Sequence, residues 1–186
     1  IVVPDERRLG PAVSDLGTFL EALGSDRRVL PFPAFALDPY RGLAPHLDVT
    51  SARLRALVAL AESGDVVVVA TAAALLYRTT SPRLLEDAIL RLRVGDRVEP
   101  RELERHLVAT GFRHEDPVTT PGDFTRRGGI LDIFPPVEAE PVRLELLGDE
   151  LEEIRSFDRD SQRSEACLEE IRITPANEWP LTEAQR

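Results

Sequence analysis

Lysine and methionine are absent from this sequence, and cysteine occurs once, at Cys167. A disulfide needs two thiols and a cysteine-based zinc cluster needs several, so neither can form within the chain. A P-loop needs a lysine that reaches the β- and γ-phosphates of a nucleotide, and the lack of lysine excludes that motif. The missing methionine indicates a piece of a longer protein, and the single cysteine favours a reducing, cytoplasmic setting.

Long apolar runs are also missing. The longest, Val66 to Ala70 and Ala72 to Leu76, are far shorter than the roughly 20 residues of a membrane span, so we expect no membrane partner. The net charge is −10, from 33 acidic against 23 basic residues, and every basic residue is arginine. Because phosphate backbones repel such a chain, we expect no non-specific binding of nucleic acid by this piece.

The first 82 residues alternate helix and strand signals. Apolar residues at spacings of three and four predict helices over Pro11 to Leu23 and Ala52 to Ser63. Strands are predicted at Arg28 to Pro31 and at Val66 to Thr71, a β-branched run typical of a buried parallel strand. The proline-rich residues 31–45 predict an irregular connection. This alternation predicts an α/β fold with part of a doubly wound parallel sheet.

After Pro82 the pattern changes to a strand, a helix and then strands alone. The first strand is predicted at Ile89 to Val94 and the helix from Pro100 to Thr110. The later strands are predicted at Asp123 to Arg127, Ile130 to Phe134, Val142 to Leu147, Glu150 to Phe157 and Ile171 to Thr174. We therefore predict a small α+β domain with an antiparallel sheet.

These patterns predict three segments. Residues 1–82 form an α/β domain truncated at its start, and residues 83–174 form the α+β domain. Residues 175–186 return to the first domain or lead out of the chain.

Neither a metal site nor an active site is indicated. His46, His106 and His114 lie in different predicted elements and share no ligand spacing with one another or with Cys167. Acidic pairs such as Asp149-Glu150 fall on exposed strands and turns, where nothing separates their two pKa values. We therefore expect no catalytic residue, no metal and no cofactor in this piece.

A polar strand face remains as a candidate site. In the predicted strand VRLELL, alternation directs Val142, Leu144 and Leu146 to the core and directs Arg143, Glu145 and Leu147 to the other face. A guanidinium, a carboxylate and an exposed apolar residue in a row are typical of a protein interface. The other interpretation is a solvated cross-strand ion pair beside one exposed leucine.

The stretch PGDFTRRGGILDIFPP adds Arg126 and Arg127, followed by Gly128-Gly129. Two glycines between strands indicate a bulge or a sharp bend. Such a bend holds Arg127 next to the core and can direct it toward the face of Arg143.

The sequence FTRRGGILDIFPP followed by VRLELLGDELEEIRSFDRDSQRS resembles the N-terminal region shared by the bacterial transcription-repair coupling factor and the B component of excinuclease ABC. Both families have an aromatic residue, an Arg-Gly step, an apolar-acidic-apolar-Phe-Pro strand and then an Arg-x-acid strand. The upstream stretches LRVGDRVEPRELERHLVATGFRH and DVVVVATAAALL fit as well. The resemblance covers nearly the whole chain.

Two features favour the coupling factor over the excinuclease B component. The B component begins with a P-loop motor and has a long aromatic-rich hairpin that grips damaged DNA, whereas DPYRGLAPHLDVTSARLRAL leaves no room for that hairpin. The SFDRDSQRS stretch also resembles the coupling factor more closely. The resemblance implies a degenerate RecA-like first domain, without ATPase or hairpin, followed by the α+β domain.

The resemblance implies a non-catalytic docking module of bacterial transcription-coupled repair. Its α+β domain would bind the A component of excinuclease ABC and recruit it to stalled RNA polymerase. The matching positions are Arg127, Arg143, Glu145 and Leu147, with Arg126 as a further candidate. RNA polymerase, DNA, ATP and magnesium are expected only in other regions of the parent protein.

Two departures and two alternatives accompany this hypothesis. The family often has an aromatic residue at Leu147, and the excinuclease B component has an arginine at Thr125. Arg126 could replace that arginine, but alternation directs it to the opposite face. The alternatives are a fragment of the B component that binds damaged DNA and a structural spacer. For the docking hypothesis, we expect Arg143→Ala to weaken binding of the excinuclease A component and to leave the melting temperature nearly unchanged.

Overall fold

The computed structural model describes residues 1–35, 46–62 and 64–179. Within it the chain divides into two compact units, Ile1–Pro82 and Arg83–Arg186. Most of the proline-rich connection expected over residues 31–45 lies outside the described residues, as do Ser63 and residues 180–186. No helix in the described ranges is long and apolar enough to cross a membrane.

The first unit is a three-stranded parallel sheet in the order β1-β3-β2. Its elements are β1 (Val2–Val3), α1 (Glu6–Ala22), β2 (Arg28–Phe32), α2 (Leu47–Glu62), β3 (Val66–Thr71) and a 3-10 helix at Ala73–Leu76. Val69 of β3 packs with Leu9 of α1, whereas Ala70 packs with Ala56 of α2. Since adjacent strand residues point to opposite faces, the two helices cover opposite faces of the sheet, as predicted for a doubly wound layer.

Helix α1 begins five residues earlier than the sequence pattern predicted, because Asp5 caps it. The Asp5 carboxylate accepts hydrogen bonds from the backbone N–H groups of Arg7 at 2.9 Å and Arg8 at 3.2 Å. These donors have no partner within the helix, so the cap satisfies them. Pro11 therefore lies in the second turn instead of at the helix start. Helix α2 likewise begins at Leu47 and not at Ala52.

One arginine lies in the core of the first unit. Arg53 of α2 is fully buried at 0% exposure. Its guanidinium carbon lies 4.0 Å from the ring centre of Phe32 and 4.1 Å from that of Phe35. Its Nη1 donates a hydrogen bond to the carbonyl oxygen of Pro33 at 2.9 Å. Two aromatic faces and a carbonyl thus replace water around this charge.

The second unit contains a six-stranded sheet in the order β10-β9-β8-β7-β6-β5 and a two-stranded sheet of β11 and β4. Its elements are α3 (Pro82–Ala88), β4 (Leu90–Arg93), α4 (Pro100–Ala109), β5 (Arg113–His114), β6 (Asp123–Arg127), β7 (Ile130–Ile133), β8 (Val142–Leu147), β9 (Glu150–Phe157), β10 (Ser164–Leu168) and β11 (Glu170–Ile173). All pairings are antiparallel except β5 with β6. Together with the parallel sheet of the first unit, this confirms the predicted two-part α/β fold.

Helix α4 covers one face of the larger sheet. Leu103 and Leu107 of α4 pack with Leu131, Ile133 and Leu144 in a single buried cluster. The residues next to these three along β7 and β8 therefore point to the opposite face of the sheet. We call that opposite side the outer face.

The sequence pattern missed three short elements of this unit, α3, β5 and β10. Strand β5 has only two residues, and β10 is mostly exposed and interrupted by an irregularity between Ser164 and Cys167, so neither shows clear alternation. The segment after β11 was expected to return to the first domain or to lead out of the chain. Its described part packs within the unit, because the N–H groups of Ala176 and Asn177 donate to the Thr110 carbonyl oxygen.

Candidate protein interface

The outer face brings together polar side chains from β6, β7 and β8. Thr125 is paired with Asp132, and Asp132 with Arg143, in one cross-strand row. The next row pairs Arg127 with Ile130 and Ile130 with Glu145. Residues that lie directly opposite one another point to the same face and are close enough to interact.

A buried carboxylate lies at the centre of these rows. Asp132 is 1% exposed and accepts hydrogen bonds from two arginines. Its Oδ1 accepts from Arg143 Nε at 2.7 Å, and its Oδ2 accepts from Arg143 Nη2 at 2.9 Å and from Arg127 Nη2 at 3.2 Å. The charge of a carboxylate removed from water is stabilised by this fork of parallel N–H groups.

Arg143 is held tightly in this arrangement. Its side chain is only 17% exposed, and its guanidinium carbon lies 4.9 Å from the ring centre of Phe157. The hydrogen bonds to Asp132 raise the pKa of Arg143 above its ordinary value, although burial acts in the opposite direction. Arg143→Ala would leave Asp132 with one arginine partner instead of two. We therefore expect this substitution to destabilise the second unit, whereas the sequence alone led us to expect a nearly unchanged melting temperature.

Arg127, in contrast, is available to a partner. Its side chain is 56% exposed and donates to Asp132 through Nη2 alone. Ile130, beside it in the same row, is 38% exposed, and Leu147 at the end of β8 is 69% exposed. Glu145 is half-buried between them. Together these residues present a guanidinium, a carboxylate and two apolar side chains to solvent.

Arg126 lies on the other side of the sheet. Its Nε is 3.0 Å from Oε1 of Glu104 on α4, and its Nη1 donates to the carbonyl oxygen of Gly128 at 3.1 Å. The structure therefore brings Arg127, Arg143 and Glu145 together and leaves Arg126 apart. Thr125, at the position where the excinuclease B component carries an arginine, is buried at 2% exposure in the row of Asp132.

Residues 90–179, which include this whole arrangement, match a family model described as the UvrB interaction domain. These residues are similar to the UvrB interaction domain family. Nearly the whole chain is also similar to curated proteins named transcription-repair-coupling factor. The protein from Haemophilus influenzae is 33% identical over 183 residues, or 97% of this chain and 15% of its own length. The proteins from Myxococcus xanthus and Escherichia coli are 35% and 32% identical over 100% and 96% of this chain, each over 16% of its own length.

The predicted relationship to the coupling-factor family is confirmed by these similarities. The chain spans about one sixth of the length of the curated relatives that it matches. The match to the UvrB interaction domain begins at Leu90, the first residue of β4, and ends at Trp179. It therefore includes all five residues that were selected from the sequence.

Asp132 lies at the centre of the outer face, although it was not among the site residues predicted from the sequence. Its signal was present in LDIF, where an acidic residue lies between two core residues of a strand. Glu153 and Arg155 of β9 were missed as well, and they extend the two rows as partners of Glu145 and Arg143. Their ion pair, at 2.7 Å, lowers the pKa of Glu153 and raises that of Arg155.

The two glycines form the hairpin turn between β6 and β7, which is the sharp bend of the two predicted alternatives and not the bulge. Arg127 pairs directly with Ile130, so Gly128 and Gly129 are the whole connection. Gly128 has a φ of +66°, which suits glycine. Gly129 lies against β8, where its carbonyl oxygen accepts from the N–H of Leu146 at 2.7 Å. The irregularity in the sheet lies elsewhere, between Glu145 and Leu146 in the pairing of β8 with β9.

Gly129→Ala is expected to lower the free energy of unfolding of the second unit by about 1 to 3 kcal/mol. An added Cβ would collide with the backbone carbonyl oxygen of Leu146, so the hairpin or β8 must shift. Urea unfolding followed by the fluorescence of Trp179, the single tryptophan, measures this effect. Gly128→Asn is the matched control, because no atom occupies the space beside Gly128 and asparagine tolerates positive φ. Equal stability of the two variants would contradict the close approach at Gly129.

Among the described residues, no group of three or more His, Cys, Asp or Glu side chains is placed to hold a metal ion.

Proposed function

We propose that this chain is a non-catalytic docking module of a transcription-repair coupling factor and that its outer face binds the A component of excinuclease ABC. The observation that carries this proposal is the pair of arginines on one buried carboxylate, with Arg127 exposed beside Ile130 and Leu147. The match of residues 90–179 to the UvrB interaction domain family and the similarity to transcription-repair-coupling factors support the choice of an excinuclease partner.

The proposed contact joins charge pairing to apolar burial. Arg127 would donate two parallel N–H groups to a carboxylate of the partner, and Glu145 would accept from a cationic side chain or orient a neighbouring arginine. Leu147 would enter an apolar pocket, although it offers less area than an aromatic side chain. Arg143 belongs to the same face and stabilises it through its two hydrogen bonds to Asp132.

We further propose a division of labour along the chain. Residues 83–174 form the partner-binding domain, and residues 1–82 form a domain that resembles the excinuclease B component but has no nucleotide site. Docking would bring the excinuclease A component to RNA polymerase stalled at damage, whereas contacts with the polymerase, with DNA and with ATP belong to other parts of the parent protein. The family similarity supports this division.

A binding titration of the chain against the excinuclease A component tests the proposal. Arg127→Ala is expected to weaken binding by about 2 kcal/mol, because a desolvated arginine at the centre of an interface contributes this much. Leu147→Ser is expected to weaken it by about 1 kcal/mol or more through lost apolar contact. Both variants keep the Arg143–Asp132 pair, so both should remain folded.

The matched control is Arg101→Ala, which removes an exposed arginine from α4 on the other side of the sheet. This variant is expected to bind like the unmodified chain. Unchanged binding after Arg127 and Leu147 are both replaced would favour the structural-spacer alternative. Tight binding of DNA by this chain at physiological salt would revive the alternative of a fragment of the excinuclease B component.

A further inference from the structure

We infer that Asp132 is a positioning residue for the docking surface: it holds the Arg127 fork in place, and Arg143 acts chiefly by fixing Asp132. This inference rests on the proposed function, because it assigns roles within the same surface. It divides the two arginines, which look equivalent in the sequence, into one that meets the partner and one that supports it.

The hydrogen bonds of Asp132 distinguish the two arginines. A carboxylate offers about four acceptor positions on its two oxygens. Arg143 takes one position on each oxygen, at 2.7 and 2.9 Å, and Arg127 takes a further one on Oδ2 at 3.2 Å. Arg143 thus applies its Nε–Nη2 edge, the edge best suited to a bidentate contact, to Asp132.

The exposure of the two arginines also distinguishes them, because Arg127 is far more exposed than Arg143. The side chain of Arg143 is 17% exposed and its remaining Nη1 is 3.5 Å from the hydroxyl oxygen of Ser164. The side chain of Arg127 is 56% exposed and only its Nη2 contacts Asp132. Of the two guanidinium groups, that of Arg127 is therefore the one that can offer a pair of N–H groups to another molecule.

Asp132 does not compensate the charges of the two arginines equally. Asp132 has one negative charge and faces two guanidinium groups, so the cluster of these three residues is positive by one unit. Because Arg143 is nearer to Asp132 and holds it at two points, Asp132 compensates the charge of Arg127 less than that of Arg143. The hydrogen bond to Asp132 also restricts the rotamers of Arg127 before the partner arrives, which lowers the entropy cost of binding.

A pair of conservative variants tests the division of roles by titration against the excinuclease A component. Lysine keeps the charge of arginine but lacks its planar fork. Arg127→Lys is expected to raise the dissociation constant about tenfold, whereas Arg143→Lys, which retains a cation beside Asp132, is expected to raise it less than about threefold. The opposite ranking would show that Arg143 meets the partner directly, and the inference would be overturned.

A double-mutant cycle tests the role of Asp132 itself. Asp132→Asn keeps the shape of the side chain and removes its charge. In the unmodified chain it is expected to raise the dissociation constant about five- to tenfold, and in the Arg127→Ala background it is expected to have almost no further effect. A purely structural role would weaken binding equally in both backgrounds, and this outcome would overturn the inference.

These measurements separate the inference from the proposed function. If Arg127→Ala alone binds the excinuclease A component normally, the proposed docking surface fails. If Arg127→Ala weakens binding but Asp132→Asn weakens it equally with or without Arg127, only the positioning role fails. Thermal unfolding followed by Trp179 fluorescence identifies a temperature at which each variant is folded. If Asp132→Asn does not fold, the comparison of Arg127→Lys with Arg143→Lys still tests the division of roles, because both variants keep a cation beside the buried carboxylate.

Discussion

Arg143→Ala is expected to lower the free energy of unfolding of the second unit by about 2 to 3 kcal/mol. Removing one partner of a buried ion pair leaves an uncompensated charge, which costs about 3 to 5 kcal/mol in other proteins. The effect here is expected at or below the lower end of that range, because Arg127 remains 3.2 Å from the Asp132 carboxylate. The loss of the contact between the guanidinium and the Phe157 ring adds to it.

Urea unfolding followed by Trp179 fluorescence measures this change, because Trp179 belongs to the second unit. Arg127→Ala is the matched control, since it removes an arginine from the same carboxylate but leaves the two bonds from Arg143. Its expected cost is less than about 1 kcal/mol. Similar stability losses in the two variants would contradict the conclusion that Arg143 stabilises Asp132 more strongly than Arg127 does. A binding defect of Arg143→Ala must accordingly be corrected for the unfolded fraction.

Arg53→Ala is expected to lower the free energy of unfolding of the first unit by about 3 to 5 kcal/mol. The substitution removes a large, fully buried side chain and opens a cavity between Phe32 and Phe35. It also leaves the carbonyl oxygen of Pro33 without the hydrogen bond from Nη1. The aliphatic stem contributes to the loss as well as the charge.

Far-ultraviolet circular dichroism during urea unfolding reports on both units, and Trp179 fluorescence reports on the second alone. Arg53→Ala should therefore shift a transition that circular dichroism detects and leave the Trp179 transition in place if the two units unfold separately. Arg55→Ala is the matched control, because Arg55 lies two residues away on α2 and is exposed. Equal stability of the Arg53 and Arg55 variants would contradict the burial of Arg53.

The outer face could be predicted from the sequence only in part. Alternation along VRLELL correctly directs Arg143, Glu145 and Leu147 away from the core residues Val142 and Leu144. Alternation within one strand says nothing about the register of the neighbouring strands. Asp132 lies between the two arginines only because β6, β7 and β8 pair in a particular register. The role of Asp132 could therefore not be predicted without the structure of the sheet.

The first unit shows a similar limit for single residues. The apolar periodicity of α2 and the β-branched run of β3 predict a layered sheet, and that prediction is confirmed. An arginine in a helix, however, normally indicates a solvent-exposed position. Arg53 is buried because Phe35, a residue beyond the end of β2, lies against it together with Phe32. Such a contact depends on the path of a connection, which helix periodicity does not encode.

The connectivity of the larger sheet has a consequence for how the docking surface is inherited. Strands β6, β7, β8 and β9 are consecutive in the chain and adjacent in the sheet. The hydrogen bonds that join Arg127 and Arg143 to Asp132 therefore span at most 11 residues along the chain. Contacts between near neighbours in sequence form with little loss of chain entropy. The surface is thus encoded in one uninterrupted segment, and a recombination event that moved this segment into another protein would move the complete arrangement with it.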